Sequence, residues 1–472
     1  MNRKLSLLAM AACLILAPSA LAGGFYIYEH NASGTGMCGA RTAVADDPSA
    51  MFFNPAAITE LPGVQLQFGV TGILPFTSYE ADNQQPARSY PDGTPVNDGM
   101  NDVDAKVKGF NPIHLYATWS IFDTGLHLGF GLTNPFGLGT YYPGDWDGRF
   151  VGTETEIQTF LPNAVLAVDI ARLADFKDSF KLSLAAGYTF IYGTARLSKK
   201  IDLSNAYFIS MGTVGGPDAE GEMRMTGSGT GHGWNLALYA EWPEILGFGL
   251  SIRGGFNDDA SMGVPFEGTA NFVFNQNGQL AREYLASLGT VLPDRTTGKV
   301  NINLPFNFNL GVSFLGVKNL ILAADFFVAD FHSYDTLHVK FSCLEEGTCS
   351  NAVDKPIVKN WGISWQLSLG AEYKLFDVWP LRIGWGTVAS PVPDDTYDPS
   401  LPDGQRQLIT VGTGYHWSWG KLDIGYMLAF WSGTKQNEVG AGDEGLLIYE
   451  GKANGKFTTT SHLLGLTFTA AL

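Results

Sequence analysis

Strict alternation of apolar with polar or small residues, sustained for longer than a globular strand, constrains this sequence most. Between residues 361 and 375, Trp361, Ile363, Trp365, Leu367, Leu369, Ala371, Tyr373 and Leu375 fall on one face. Gly362, Ser364, Gln366, Ser368, Gly370, Glu372 and Lys374 fall on the other. A period of two puts alternate side chains on opposite faces of a strand. Strands of globular proteins run to about five or six residues, whereas about 9–11 are needed for a tilted strand to cross bilayer hydrocarbon. The fifteen-residue stretch therefore suits a membrane barrel strand that projects beyond the bilayer. The same alternation recurs at 64–71, 113–121, 409–419 and 464–472.

Composition narrows the alternatives. Charged residues are 16% of the 472, aromatics 13%, and 57 residues are glycine. Hydrophobic residues, 45% of the chain, are spread along its whole length, which excludes ordinary disorder. Acids outnumber bases 46 to 29, the net charge is −17, and no basic stripe appears, so nucleic acid is not an expected partner. Beyond residue 22 no uncharged apolar run reaches the roughly 18 residues of a membrane helix.

The first 22 residues address the compartment. Arg3 and Lys4 precede the apolar stretch Leu5 to Leu16, then Pro18 and the small-x-small pattern Ala20-Leu21-Ala22. This is the layout of a secretory signal peptide cleaved after Ala22. An uncleaved anchor helix is the competing reading, disfavoured by length. In the exported chain, Cys343 and Cys349 flank a polar five-residue loop. They form either a small disulfide or two free thiols. No cysteine–histidine set has metal-ligand spacing, and neither a metal nor another cofactor is expected.

Fourteen strands are expected, an even number as in single-chain bacterial barrels. They lie near 64–75, 110–122, 124–134, 155–170, 179–195, 230–242 and 245–258. The others lie near 300–315, 319–340, 360–376, 379–390, 406–419, 421–433 and 456–472. Tight connections such as 121–124, 242–244, 316–318, 376–378 and 419–421 alternate with the long segments 76–109, 196–229, 259–299 and 434–455. Short turns at one end and long loops at the other is the outer-membrane arrangement. Tyr141, Tyr142, Trp146, Trp242, Trp379, Trp417 and Trp419 near strand ends fit interfacial girdles. The fold class is thus all-β, a 14-stranded antiparallel transmembrane β-barrel.

Residues 23–63 do not alternate and precede the first strand. They carry Ser33-Gly34-x-Gly36, then Ala43-Val44-Ala45-Asp46-Asp47, then Phe53-Asn54-Pro55-Ala56. Later blocks are Asn134-Pro135-Phe136-Gly137-Leu138 with Asp145-Trp146-Asp147-Gly148-Arg149-Phe150, then Pro391-x-Pro393-Asp394 with Leu401-Pro402-Asp403. Gly414-Tyr415, Asp423-Ile424-Gly425-Tyr426 and Ser461-His462-Leu463-Leu464-Gly465-Leu466 follow. In this order, across nearly the whole exported chain, they resemble the FadL/TodX/OmpP1 family of outer-membrane transporters for hydrophobic compounds.

The resemblance implies a signal peptide (1–22), an N-terminal plug or hatch (23–63) containing Asn54, Pro55 and Ala56, and a barrel (64–472). It implies uptake by capture at extracellular loops, plug rearrangement and lateral release through a kink in strand three. Gly129 and Gly131 flank Phe130 in that strand, as a bend would need; easing barrel curvature is the alternative reading. Phe25, at the exported N-terminus, is expected against the ligand. Among Arg196, Lys199 and Lys200, Lys199 is the closest match to a basic residue that meets a carboxylate. A solvated strand end would explain the three bases equally. Phe136, Leu138 and Phe150 are candidate capture residues, as are Phe272, Val273 and Phe274.

The expected partners are a hydrophobic small molecule and outer-membrane lipid, with the chain acting as a monomer. Long-chain fatty acids are the leading substrates and aromatic hydrocarbons the alternative. A general porin or a barrel lipase is more remote. No Gly-x-Ser-x-Gly elbow or Ser/His/acid set stands out, so no enzyme is expected. The chain ends in Leu472, where such barrels commonly end in an aromatic.

Overall fold

The computed structural model describes residues 23–81, 102–122, 124–174, 180–212, 219–350, 356–435 and 453–472. The signal-peptide reading lies outside them. Fourteen strands form the ring: β1 (Val64–Ala81), β2 (Ile113–Ser120), β3 (Leu126–Thr133), β4 (Glu154–Asp169), β5 (Lys181–Asp202), β6 (Glu220–Trp242) and β7 (Leu246–Gly255). Then come β8 (Phe306–Val317), β9 (Leu320–Asp330), β10 (Ile363–Leu375), β11 (Trp379–Val388), β12 (Arg406–Trp417), β13 (Gly420–Lys435) and β14 (Gly455–Ala471). Each pairs antiparallel with the next. β14 closes on β1, from Gln65 opposite Ala471 to Ala81 opposite Gly455. Closure leaves no edge, the one way a sheet can satisfy its backbone within lipid.

The facing is that of a membrane barrel. Along β10, Ser364, Gln366, Ser368 and Glu372 are buried, while Ile363, Leu369 and Tyr373 are exposed. Phe122, Trp242, Phe376, Trp379 and Trp419 are exposed at the short turns, as an interfacial girdle should be. Tyr142 and Trp146 are not girdle residues. They are buried and stack with centroids 3.9 Å apart.

Three boundaries differ from those expected. Segment 196–229 is largely strand: β5 and β6 run 22 and 23 residues, about 75 Å at a strand's rise. Gly227, Gly229, Gly231 and Gly233 hid the period there, because glycine has no side chain to display it. Within 259–299, strand Met262–Phe274 and helix Gln276–Ser287 lead into strand Arg295–Leu304. The first of these pairs with the outer half of β6. Pro305 divides the expected strand 300–315, because it has no N–H for the ladder.

Residues 23–61 are almost wholly buried. They include helix α1 (Ala32–Gly36) and helix α2 (Ala50–Phe53), and a 3-10 turn over Pro55–Glu60. Their hydrogen-bond partners lie on strands spread round the ring. Ala32 N donates to Thr467 Oγ1 on β14 (2.8 Å), and Thr410 Oγ1 on β12 donates to Gly36 O (3.0 Å). The Arg41 and Thr42 amides donate to Asp325 Oδ2 on β9 (2.9 and 2.7 Å). Asn54 Nδ2 reaches Leu238 O on β6 (3.0 Å) and Thr42 O (2.9 Å), while its Oδ1 caps Ala56 N. Pro55 begins the 3-10 turn, where no N–H is missed.

At Gly129, β3 and this segment approach closely. A Cβ there would stand 2.1 Å from Met51 Sδ and 3.1 Å from Ile58 Cδ1. Gly129→Val is therefore expected to leave a closed barrel but weaken seating of residues 23–61 by about 1–3 kcal/mol, the usual cost of overpacking. Unchanged heat-dependent gel mobility with faster limited proteolysis of that segment checks it.

Candidate functional site

Gly23–Glu29 and the start of β4 enclose, with the inner wall, a cavity of about 500 Å³. Its surface is mainly apolar, with Ile73, Phe110, Phe327, Met427 and Trp431 among the lining residues. Lys106, Lys108 and Arg406 supply positive charge, and Glu29 and Glu156 negative charge. Lys108 Nζ donates to Tyr141 Oη (2.7 Å) and Glu156 Oε2 (3.1 Å). Lys106 is exposed and has no ion-pair partner among the described residues. Burial raises the Glu29 carboxyl above the ordinary carboxylate range, against donation from its own and the Tyr28 amide and attraction to Arg406.

The wall is interrupted beside this cavity. The β3–β4 ladder runs to Thr133 opposite Leu161 and resumes with Gly137 opposite Gln158 in the segment Gly137–Tyr141. Three residues, 134–136, thus face two. Side chains replace the lost ladder bonds. Asn134 Nδ2 donates to Thr159 O (2.6 Å), and Asn134 Oδ1 accepts from Ile113 N (2.9 Å). Thr159 Oγ1 donates to Phe136 O (2.7 Å). The N-terminus adds the rest: Ile27 N donates to Pro135 O (2.7 Å) and Gly137 N to Phe25 O (3.0 Å). Tyr26 is thereby bridged to Phe136.

Aromatic packing fixes this docking. Phe25 is 1% exposed, with ring centroids 5.3 Å from Phe331, 5.6 Å from Tyr334, 5.7 Å from Trp361 and 6.1 Å from Phe136. Gly24 is required beside it. Its φ is +57°, and a Cβ would lie 2.8 Å from Phe331 and 3.0 Å from Trp361. Deeper in the segment, buried Arg41 pairs with Asp46 and, at 2.8 Å, with Asp47. Burial alone would raise the Asp46 carboxyl; the Arg41 guanidinium, aided by Lys421, outweighs it and holds that carboxyl well below its usual range.

Phe25, Phe136 and Leu138 therefore converge: the last two line the cavity, and Phe25 packs on Phe136. Phe150 does not. It is 5% exposed under the Arg149 guanidinium, 4.4 Å away, and lines no part of this cavity. The three bases after β5's midpoint also lie elsewhere. Arg196 is exposed and pairs with Glu154 at 3.1 Å and Glu156 at 3.7 Å. Lys200 pairs with Glu220 and Glu222 at 3.7 and 3.8 Å, and Lys199 does not line the cavity.

The ladder is continuous through Gly129, Phe130 and Gly131. The break comes three residues later, at 134–136, where Pro135 has no N–H to give the ladder; Gly129 instead makes room for Met51, and Gly131 lies against Tyr116. Phe130 faces outward and is 58% exposed. Cys343 and Cys349 are joined in a disulfide, and Cys38 is a buried free thiol. Sequence reasoning missed Lys106, Lys108 and Arg406. The Lys106-x-Lys108 spacing was a usable signal, since residues two apart share a face of extended chain.

A closed fourteen-stranded barrel, with an apolar cavity at a break in its wall, defines an outer-membrane transport barrel. The family model described as "Outer membrane protein transport protein (OMPP1/FadL/TodX)" matches residues 13–471, and the chain belongs to that family. The family is one of outer-membrane transporters of hydrophobic compounds, not of enzymes. The chain is 23% identical to the long-chain fatty acid transport protein of Escherichia coli over 474 residues, 92% of this chain and 93% of that one. A solved Pseudomonas aeruginosa FadL homologue matches with TM-score 0.79 and 20% identity, covering 95% of this chain and 99% of that one. The Pseudomonas putida toluene transporter TodX matches with TM-score 0.65 and 15% identity, covering 94% and 99%.

His30 makes the seating of residues 23–30 sensitive to acid. It is fully buried, neither ring nitrogen has a hydrogen-bond partner, and its ring packs on Phe52 at 4.7 Å. Burial, with His114 and Arg253 nearby, holds its pKa well below the ordinary value. The unseated segment then binds more protons. The His30 contribution is full above about pH 6.5 and is lost as pH falls from there towards the lowered value. Glu29, with its raised pKa, acts in the opposite sense. Proteolysis of residues 23–61 should speed up between pH 7.5 and 5.5, and His30→Asn should flatten that dependence.

Proposed function

We propose that this barrel takes up long-chain fatty acids across the outer membrane, with residues 23–63 as the movable plug. Ligand is captured on the extracellular side, enters the 500 Å³ cavity, and leaves sideways into lipid past residues 134–136. The observation that carries this reading is that one stretch, Phe25–Ile27, both lines the cavity through Tyr26 and Ile27 and closes the broken wall through Pro135 and Gly137. A ligand that displaces the stretch opens the wall with it.

The energetics favour an apolar relay. Each methylene kept out of water is worth about 0.8 kcal/mol, so an aqueous pore gives a long chain no foothold. The cavity size is that of a small-molecule site. Ile209, Met211, Val273, Leu280 and Leu288, exposed on or beside helix α3 (Ser204–Met211) and helix α4 (Gln276–Ser287), offer an apolar landing surface. At the cavity, Lys106 and Lys108 are the candidate partners for a carboxylate, in place of Arg196, Lys199 and Lys200. The likeness to the Escherichia coli fatty acid transporter along the chain supports the same class. TodX shares the fold, and neutral aromatic hydrocarbons are the alternative substrates.

Growth on oleate as sole carbon source tests this, in a host lacking its own outer-membrane fatty-acid transporter and supplied with this protein. Growth is expected. A folded barrel, shown by its heat-dependent gel shift, with no growth would overturn the fatty-acid reading in favour of neutral hydrophobes. Paired substitutions Tyr26→Cys and Phe136→Cys should, once oxidised, abolish uptake, and reductant should restore it. Lys106→Gln should weaken oleate binding about tenfold, the worth of one charge-assisted hydrogen bond, and leave toluene binding unchanged.

A further inference from the structure

A second, smaller chamber of about 40 Å³ adjoins the first. Tyr26 and Phe136 line both, so these two rings stand between them. Met51, Phe52, Leu161 and Met262 give it apolar walls, and Arg253 is the one charged residue among the described lining residues. Arg253 on β7 stands directly opposite Asn235 on β6 and Asn307 on β8. Residues opposite one another in antiparallel strands project to the same face. Here that face is the lumen, where Asn235 and Asn307 are each 1% exposed.

The hydrogen bonds of these three residues do not balance. Arg253 Nη2 donates to Phe52 O, and the guanidinium lies 5.1 Å from the centre of the Phe52 ring. Arg253 Nη1 is buried and has no acceptor among the described residues. Asn235 has no partner there for its Oδ1 or its Nδ2. Asn307 Oδ1 has none either, and Asn307 Nδ2 makes only a long bond to Pro305 O (3.4 Å). Among the described residues no carboxylate lines the chamber. A guanidinium keeps its proton in a protein, so the charge cannot be shed. Buried charge needs a counter-charge, and each amide can turn its NH₂ donors towards one.

We propose that Arg253, Asn235 and Asn307 form a binding site for one monovalent anion in this chamber. Volume selects the class. About 40 Å³ holds a small ion or a few waters, and a carboxylate enters only as the head of a chain left in the larger cavity. A free halide and a ligand carboxylate share this chemistry. The seated N-terminus favours the halide, because Tyr26 is bridged to Phe136 across the way between the cavities. The anion cancels a positive charge held against Phe52 of the N-terminal segment. It therefore binds the seated state in preference to the unseated one and stabilises the seating by mass action. The inference is independent of which hydrophobe is carried.

Proteolysis of residues 23–61 tests it. The purified protein in detergent is digested at pH 7.5 in sodium bromide and, separately, in sodium gluconate at equal ionic strength. Gluconate is too large for the chamber. For a dissociation constant of about 10 mM, about 100 mM bromide should slow cleavage about tenfold. Arg253→Gln should be cleaved at one rate in both salts, and Arg253→Lys should keep part of the difference. Octanoate added to the gluconate medium separates the two sources. Protection by bromide, with an anomalous peak within hydrogen-bond distance of Arg253 in crystals grown with bromide, assigns the site to a free halide. Protection by octanoate alone assigns it to the ligand carboxylate. Only variants with the heat-dependent gel shift are compared, and the wild-type salt comparison and the bromide peak stand without them. Cleavage at one rate in all three media would overturn the proposal. So would a salt effect that survives Arg253→Gln, or protection by bromide with no peak at Arg253.

Discussion

Everything in this molecule follows from the need to pair backbone groups inside lipid. Hydrocarbon offers no hydrogen bonds, so the sheet must close, and here β14 meets β1 along seventeen residue pairs. Closure turns the usual protein inside out. Leucine, isoleucine and aromatic side chains face lipid, and serine, glutamine, glutamate and arginine face the lumen. That polar inner wall then needs partners of its own.

The N-terminal segment supplies them. Asp325 receives two of its amides, Thr467 and Thr410 bond its backbone, and Asn54 crosses to Leu238. Inside the wall itself, Arg382 bridges Glu372 and Asp423, both at 2.6 Å. Removing one partner of such a buried pair costs about 3–5 kcal/mol. The segment is thus fixed by directional polar bonds together with apolar packing, in which Met51, Phe52, Phe53 and Ile58 join the buried core. A further aromatic cluster surrounds Phe25. It sits at the cavity, where an apolar ligand would compete for the same surface.

The break in β3 concentrates the functional argument. A gap in a membrane ladder exposes backbone groups, and Asn134, Thr159 and residues 25–27 cover them. The first two belong to the wall; the third belongs to the N-terminal segment. Closure of the wall is therefore shared between the strands and the N-terminus.

The sequence by itself determined the class of fold. Period two over membrane-spanning lengths, short turns alternating with long connections, and the family blocks gave fourteen strands in order, each with its counterpart in the ring. Alternation is a local property, and strands are local. It failed where glycine carried no side chain to show the period, in the outer half of β6, and where Pro305 split one apparent strand. The cavity was not legible. Phe25, Phe136 and Leu138 meet near it because closure brings distant strands together, while Phe150 turns into the protein. Arg196 is spent on Glu154 and Glu156, and Lys106, Lys108 and Arg406 stand in its place. Which cation faces a cavity depends on register, pleat and the path of residues 105–112 over the wall. Those are set by pairing between strands far apart in the chain, so only the tertiary structure decided them.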